Sequence, residues 1–431
     1  MPALTELVPL THPPANADPR GEEFAPLAWQ WDLEPGPSAW SPEGECAYHE
    51  PDPDGAPVFA AFVDGVQRTV MAGRFVSPRF PWVPLHVFEV AAGFLSRDPG
   101  GKVRAGGWLR ARGIVAPFAA AFDDPDYALR VARALEDAQG LPAAVSADLA
   151  EDPLLPLRPG ERVFVLDSSL RGIGGTPEAE RILSPEELAN EGRVRQLALA
   201  KVAHLRQLLE LGAHLALRAA RLPLGEIAGT LLPANGLEEA WALHDGPLFY
   251  SQRRRERVAR ALALDPHRLD EALLARTAGY VKNHRVRPRD LTCVLKTPPE
   301  RLTGVHAHRA IEPPDRYLAA AGTLDGGEAT YAHSTYSFYL RALPEETLGK
   351  AGRSGTSLVR VQFAPQALAP LGTADPLEAG RRLAAAVLRE RFPLPPGRFQ
   401  PYATYLLEGF LRGKLTPPAR MQRTAARWFG A

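Results

Sequence analysis

The sequence predicts an α/β fold, a mixed sheet flanked by helices, with an N-terminal arm and an insertion before one long helix. Three observations predict it. Three apolar, strand-like runs follow one another between residues 58 and 118 with short links, which reads as an antiparallel meander. A long helical pattern starts at Ser184. Beyond it, strand-like and helix-like stretches alternate toward the end of the chain.

Residues 1–55 are rich in Pro, Glu, Asp and Trp with little periodicity, and read as an arm draped over the core or a partner. Residues 56–431 form the main domain, with 119–183 as an insertion within it. The first predicted strand, Val58–Arg74, is broken by an Asp64-Gly65 step; Trp82–Leu95 and Arg110–Phe118 follow. Tyr127–Gln139 has the spacing of a short amphipathic helix, and Arg162–Leu166 is an apolar strand ending in Asp167-Ser168-Ser169. The glycine-rich run at 171–177 lacks the Gly-Lys-Ser/Thr ending of a phosphate loop and reads as a flexible link. Ser184 and Glu187 form a capping box, with Pro185 suited to the first turn. The helix they start runs to about Arg221, bent near Gly192, with Leu197, Val202, Leu205, Leu209 and Leu215 on its apolar stripe. Then come the Asp245 strand, a helix-like stretch Arg253–Thr277, and a short strand Ala278–Lys282. Strands Thr335–Ala342 and Ser357–Phe363, a helix Pro376–Arg391 and the segment Pro401–Gly413 complete the chain.

The 431 residues suffice for one large or two ordinary domains. The formal net charge is zero, so nucleic acid contact requires a local basic patch. Basic residues are 44 arginines and only six lysines, which makes each lysine an unusual choice. Two cysteines, Cys46 and Cys293, cannot build a disulfide framework or a cysteine zinc site, and suggest a reducing compartment. The N-terminus lacks the basic and apolar regions of a signal peptide, and no apolar run approaches the ~20 residues of a membrane span. A cytoplasmic, soluble protein is expected.

Two Asp-Gly steps carry the chemistry. Asp64 precedes Gly65 at the end of Val-Phe-Ala-Ala-Phe-Val, and Asp245 precedes Gly246 in Trp-Ala-Leu-His-Asp-Gly-Pro-Leu. A strand delivering a carboxylate to its tip, followed by glycine, is a rigid mount for a hard ion, and two side by side suit Mg²⁺ or Mn²⁺. Either step alone is also a turn signal.

The order of meander, helix, strand, helix, strand, with acids on the first strand and on the strand after the long helix, is ribonuclease H-like. In detail the chain resembles the NurA nuclease family, partners of HerA-type DNA translocases. Phe-Val-Asp-Gly (62–65) resembles the family's first motif and His-Asp-Gly-Pro-Leu (244–248) its second aspartate motif. Gly-Tyr-Val-Lys (279–282) resembles its Gly-x-x-Lys strand, and 336–343 with 359–363 its late strand pair. Gln-Pro-Tyr-Ala-Thr-Tyr-Leu-Leu-Glu-Gly (400–409) resembles its Tyr-Pro-x-x-Leu-x-x-Ala-His ending. The resemblance spans about residues 56–415. It departs at Val66, where serine is usual, at Gln362, where an acid is common, and at the final histidine, near whose place stands Gly409; only Tyr402 is carried over from that motif.

The resemblance implies a metal-dependent DNA nuclease with 5′-to-3′ exonuclease and single-strand endonuclease action, preferring Mn²⁺ with Mg²⁺ as the alternative. It also implies a homodimer that docks on a HerA-like hexameric ATPase in DNA end resection and double-strand break repair. Two ions about 4 Å apart activate the attacking water and stabilise the leaving oxygen in such enzymes, and need three or four carboxylates. Asp64 and Asp245 are the first choices. Glu210, amid apolar residues where a bare charge is costly, is the helix acid, with Glu226 as runner-up. Asp167 competes with Asp245, but Asp245 leaves room for one helix before Lys282, as the family order requires. Lys282 neutralises the scissile phosphate or positions the water, or is a surface lysine.

Arg68 either grips a phosphate or pairs with a neighbour. Arg253, Arg254, Arg255, Arg257 and Arg260, with Lys282, His284, Arg285, Arg287 and Arg289, form either a track for single-stranded DNA or a solvated face. Tyr331, Tyr336, Phe338 and Tyr339 offer stacking faces or belong to the core. His306 and His308 lack a companion pair for zinc, and no Gly-x-Ser-x-Gly elbow is present. The rival readings are a non-catalytic DNA-clamping subunit of a translocase and another ribonuclease H-like phosphodiesterase cutting junctions or RNA.

Overall fold

The computed structural model describes residues 4–11, 32–33, 46–139, 143–146, 163–169, 182–218, 240–246, 248, 273–282, 286–287, 291–310, 333–343, 358–394 and 398–429. A short helix α1 (Leu4–Leu7) and strands β1 (Leu10–Thr11), β2 (Asp32–Leu33) and β3 (Tyr48–His49) precede the long meander β4 (Phe59–Phe75), β5 (Val83–Arg97) and β6 (Val103–Ala116). Helices α2 (Phe118–Phe122) and α3 (Tyr127–Gln139) lead to β7 (Ala143–Ser146) and β8 (Val163–Asp167). Helices α4 (Pro185–Ala189) and α5 (Glu191–Arg218) then lead to β9 (Trp241–Asp245), β10 (Thr277–Val281), β11 (Val286–Arg287) and α6 (Leu291–Leu295). The remainder is β12 (Leu302–Thr303), β13 (His306–Ala310), β14 (His333–Arg341), β15 (Leu358–Phe363), α7 (Pro376–Arg389), β16 (Arg391–Leu394), β17 (Arg398–Pro401), α8 (Tyr402–Arg412) and α9 (Pro418–Phe429).

One mixed sheet organises the molecule. Its order is β3-β12-β14-β15-β10-β9-β4-β5-β6-β8-β7, with β1 joining β4 and β13 joining β14. The meander β4-β5-β6 is antiparallel, as its alternating apolar runs predict. Against β4 on its other side, β9 and then β10 run parallel to it. On the far side β8 and β7 extend the sheet parallel to β6, so the segment after residue 119 adds strands to the main sheet.

Alternation along each strand sends side chains to two different layers. Ala61, Val63, Phe88, Val90 and Ala92 face α5 and pack on its Val202, Leu205, Leu209 and Ala213. Phe62 and Val66 face the opposite way and pack with Ala403, Leu407 and Leu411 of α8 and with Leu383 and Val387 of α7. Further along β4 the same face packs Val70 and Phe75 with Val131 and Leu135 of α3 and Trp428 of α9. The sheet is thus sandwiched between α5 and a layer built from α3, α7, α8 and α9.

Local sequence explains the ends of several elements. Ser184 Oγ accepts from Glu187 N–H while Glu187 accepts from Ser184 N–H, completing the predicted capping box. The helical run pauses at Asn190, which caps α5 by accepting from Arg193 N–H at 3.0 Å, so the break lies two residues before Gly192. Asp375 caps α7 through Leu377 N–H at 2.9 Å.

Two expectations are corrected. The first strand does not break at Asp64-Gly65: β5 pairs with β4 on both sides of this step, Asp64 opposite Gly93 and Gly65 opposite Ala92. Asp64 therefore lies mid-strand. Cys46 and Cys293 are joined as a disulfide, with Cα atoms 5.5 Å apart across 247 residues of sequence. It ties the end of the N-terminal segment to α6, and removes the ground on which the low cysteine count suggested a reducing compartment. Among the described residues, no helix is long and apolar enough to cross a membrane.

Close strand packing at Gly113 gives a direct check. A Cβ there would collide with the Phe164 carbonyl of β8 and lie 2.8 Å from the Phe88 ring. Gly113→Ala is expected to lower unfolding free energy by about 1–3 kcal/mol, read from urea denaturation; wild-type stability would show that β6 and β8 are not so closely joined.

Candidate active site

The parallel strands β4, β9 and β10 bring the acids together. Val63 is level with His244, and Asp245 with Tyr280, so Asp64, Asp245 and the start of the turn after β10 lie side by side. β9 ends at Asp245 because Gly246 turns away at φ 132°, a backbone region that favours glycine, and donates its N–H to Tyr280 O at 2.8 Å. The returning chain passes over Gly279, where a Cβ would sit 2.9 Å from Gly246 O. Gln362, on β15, steadies the same return by accepting from Leu248 N–H at 3.2 Å. The second Asp-Gly step is a turn and a strand tip at once; the first is neither.

Asp64 has the same facing as Phe62 and Val66, toward α8, and by the same alternation Asp245 and Lys282 share that face with Leu243 and Tyr280. Lys282 Nζ lies 2.5 Å from Asp245 Oδ2. Val66 is buried under α8. Glu210 arrives from the other layer. It sits 3% exposed on α5, against the backbone of Gly65, where a Cβ would overlap its carboxylate. Arg206, one turn earlier, donates to both Glu210 and Gly65 O, the latter at 3.1 Å. Gly65 is therefore the residue that lets a helix carboxylate reach β4.

Below Glu210, α5 is keyed to β9 and β10 by buried polar groups. His214 Nε2 meets Thr277 Oγ1 at 3.1 Å, and its ring lies 5.9 Å from that of His244. Arg218 donates to Ala240 O, Arg276 O and Thr277 Oγ1 at 2.5, 2.7 and 3.0 Å. Burial holds both histidines uncharged, His214 well below its ordinary value and His244 at about 4.

The electrostatics follow from crowding acids in a dry place. Burial first, then the charges of Asp245, Glu210 and Glu408, push Asp64 well above the usual carboxylate range, with Lys282 opposing. Burial raises Asp245 too, against Lys282. Burial raises Glu210 to about 7, with Arg206 opposing and Asp245 reinforcing. For Lys282 the burial penalty is outweighed by Asp245, Asp64 and Glu408, which keep it protonated. Asp64 is 5% exposed, and among the described residues its carboxylate accepts one hydrogen bond, from Gly65 N–H at 2.7 Å, and makes no ion pair.

Oxygen-only donors around an uncompensated carboxylate fit a hard divalent cation. Asp64, Asp245 and Glu210 are the residues that could hold it. Among the described residues no three His, Cys, Asp or Glu form a ready-made metal group: Asp245 and Glu210 are instead turned to Lys282 and Arg206.

Asp167 is separate. Strands β5 and β6 lie between β4 and β8, so it stands three strands from Asp64, on the side away from Asp245. It accepts from Ala119 N–H of α2 at 3.1 Å and from Ser169 N–H at 2.9 Å, the work of a buried cap. Arg68 Nη1 donates to Leu415 O and Thr416 O at 3.3 and 2.6 Å, pinning the turn between α8 and α9. Of its two readings, the neighbour is the one seen. Phe338 and Tyr339 are buried in the core, and half-buried Tyr336 packs against it, 5.3 Å from the Phe363 ring. Tyr402 is exposed at the first position of α8. Arg253, Arg254, Arg255, Arg257, Arg260, His284, Arg285, Arg289, Glu226 and Tyr331 lie outside the described residues; Arg287 lies in β11, and His306 and His308 in β13. Glu408 of α8, whose charge acts on Asp64, Asp245 and Lys282, is not singled out by the sequence.

The raised carboxyls make stability fall as pH rises. Cation-free, folded Glu210 keeps its proton to about 7, whereas an unfolded glutamate loses it near ~4.3. The folded state binds the extra proton between these values, so the unfolding free energy drops across that window. Glu210→Gln is expected to reduce the drop between about pH 4.5 and about pH 8, measured by urea denaturation in EDTA, by about 3 kcal/mol. An unchanged drop would mean that Glu210 is solvated.

The chain matches no protein-family model and no curated protein sequence. Among solved structures it is similar to the crystal structure of the NurA nuclease from Sulfolobus solfataricus, with 12% sequence identity and a TM-score of 0.35, over 88% of this chain and 87% of that one. A likeness this distant says nothing about chemistry, which rests on the residues of the site.

Proposed function

We propose that this protein is a metal-dependent nuclease with a ribonuclease H-like core, hydrolysing phosphodiester bonds of DNA where β4, β9 and β10 meet. The observation that carries this is the buried Asp64, without an ion pair among the described residues and flanked by Asp245 and Glu210, with Lys282 beside them. A divalent cation, when bound, supplies Lewis acidity toward a phosphoryl oxygen and toward water.

The chain's own groups do the rest. Asp64 and Asp245 present oxygens from rigid strands on one face of the sheet, and Glu210 adds a carboxylate from the other. Lys282 stays charged through its acidic neighbours. With Asp245 engaged by a cation, the Lys282 ammonium would be available to neutralise a phosphate oxygen. The dry surroundings strengthen each of these interactions.

The finer parts of the proposal come from the resemblance of the motifs around Asp64, Asp245 and Lys282 to NurA nucleases. They are Mn²⁺ preference, two ions per site, 5′-to-3′ exonuclease with single-strand endonuclease action, homodimerisation, and work beside a HerA-like hexameric ATPase in cytoplasmic DNA end resection.

The test is degradation of 5′-labelled single-stranded DNA with Mn²⁺, Mg²⁺ or EDTA. Asp64→Ala and Asp245→Ala are each expected to lose at least about a hundredfold in rate. Asp167→Asn, remote from the site, is expected to retain the wild-type rate. Cleavage that survives in Asp64→Ala would sink the proposal. A wild type without cleavage, even with a HerA-like ATPase added, would favour a DNA-clamping subunit.

A further inference from the structure

We propose that Glu408, on α8, is a fourth carboxylate of this site and a direct ligand of its divalent cation, exchanging its Arg412 partner for the ion. The inference rests on the reading of Asp64 and Asp245 as cation ligands.

Position comes first. Leu407 and Leu411 of α8 pack with Phe62, Val66, Leu243 and Tyr280, on the sheet face that carries Asp64, Asp245 and Lys282. Leu411 lies directly over the Asp64 row, its Cδ2 3.2 Å from where a Cβ on Gly93 would be, and Gly93 is the β5 partner of Asp64. Glu408 is one turn before Leu411 on the same side of the helix. Asp64 and Asp245 share that face with Glu89, which is taken up by Arg110 and Thr416, so Glu408 adds a carboxylate to the two site acids without crossing the sheet, whereas Glu210 approaches from the opposite layer.

Charge and burial agree with position. Glu408 acts on Asp64, Asp245 and Lys282 alike, raising all three. Its carboxylate lies 2.8 Å from Arg412 Nη2, a pair between a half-buried glutamate and an exposed arginine one turn apart. Such pairs hold weakly and exchange readily. One turn before Glu408, on the same helix face, Thr404 is 1% exposed, and its hydroxyl has no hydrogen-bond partner among the described residues. A buried hydroxyl of that kind calls for a partner.

Mn²⁺ titration calorimetry on the whole protein tests this, with Asp64→Asn, Glu408→Gln and Arg412→Gln beside wild type, and circular dichroism to verify folding. Asp64→Asn and Glu408→Gln are each expected to weaken Mn²⁺ binding by at least about tenfold, while Arg412→Gln binds as tightly as wild type or tighter. If Glu408→Gln titrates like wild type while Asp64→Asn does not, Glu408 is only a helix-surface partner of Arg412 and the inference falls with the site intact. Equal weakening in Arg412→Gln and Glu408→Gln would assign the pair a structural role and overturn it as well. A wild type that binds no Mn²⁺ would remove both the site reading and this residue from it.

Discussion

The site depends on one geometric constraint: β9 stops at Asp245 while β4 runs on beside β5. Up to Val63, β4 has hydrogen-bonded neighbours on both edges. From Asp64 onward, among the described residues, β4 has no strand partner on that edge until β1 pairs at Arg74 and Phe75. A carboxylate in the middle of a continuous strand would ordinarily be enclosed by neighbours on both sides. Here it borders the place where the parallel strands end, which is where ligands of open α/β sheets gather. Strand continuity makes Asp64 rigid, and the early stop of β9 places it, though buried, at the end of the parallel strands.

Two glycines make the constraint chemically useful. Gly246 ends β9 by taking a backbone conformation closed to most residues. Gly65 lacks the Cβ that would fill the space taken by Glu210. The His214, Arg218 and Thr277 contacts then fix α5 in register on β9 and β10, so that Glu210 falls at Gly65 and not a turn away. On the other face, Glu89 accepts from Thr416 N–H and Arg110 while Arg68 holds the carbonyls beside it, which anchors the end of α8 over the meander. The acids are thus positioned from both layers by polar contacts well away from them.

Much of this was legible in sequence because it is local. The meander, α3 and the capping box at Ser184 follow from spacing within a few residues. Asp64, Asp245 and Lys282 stood out because each ends an apolar run with an unlike residue. What stayed hidden is set by pairing across long separations. The continuation of β4 through Gly65 is decided by β5 more than by the Asp-Gly step itself. The Cys46–Cys293 bond joins positions 247 residues apart. Glu408 is unremarkable until α8 is laid over Gly93. Asp167 and Asp245 end similar strands, and only the order of the sheet separates them.

The pattern of partners around the acids bears on how the fold tolerates them. Three of the four carboxylates have a basic side chain of their own: Asp245 has Lys282, Glu210 has Arg206 and Glu408 has Arg412. Buried like charges left bare would disfavour the fold strongly. Distributed counter-ions moderate that cost, and the raised carboxyls show that they do so incompletely. Asp64 carries the remainder, since its near neighbours are acids and Lys282 is engaged with Asp245. On the proposed function, a divalent cation would compete with these side chains, so its affinity would depend on how readily Lys282, Arg206 and Arg412 give way. The same exchange would leave Lys282 and the two arginines available to a phosphate, so that the protein's own charges would couple cation binding to substrate binding.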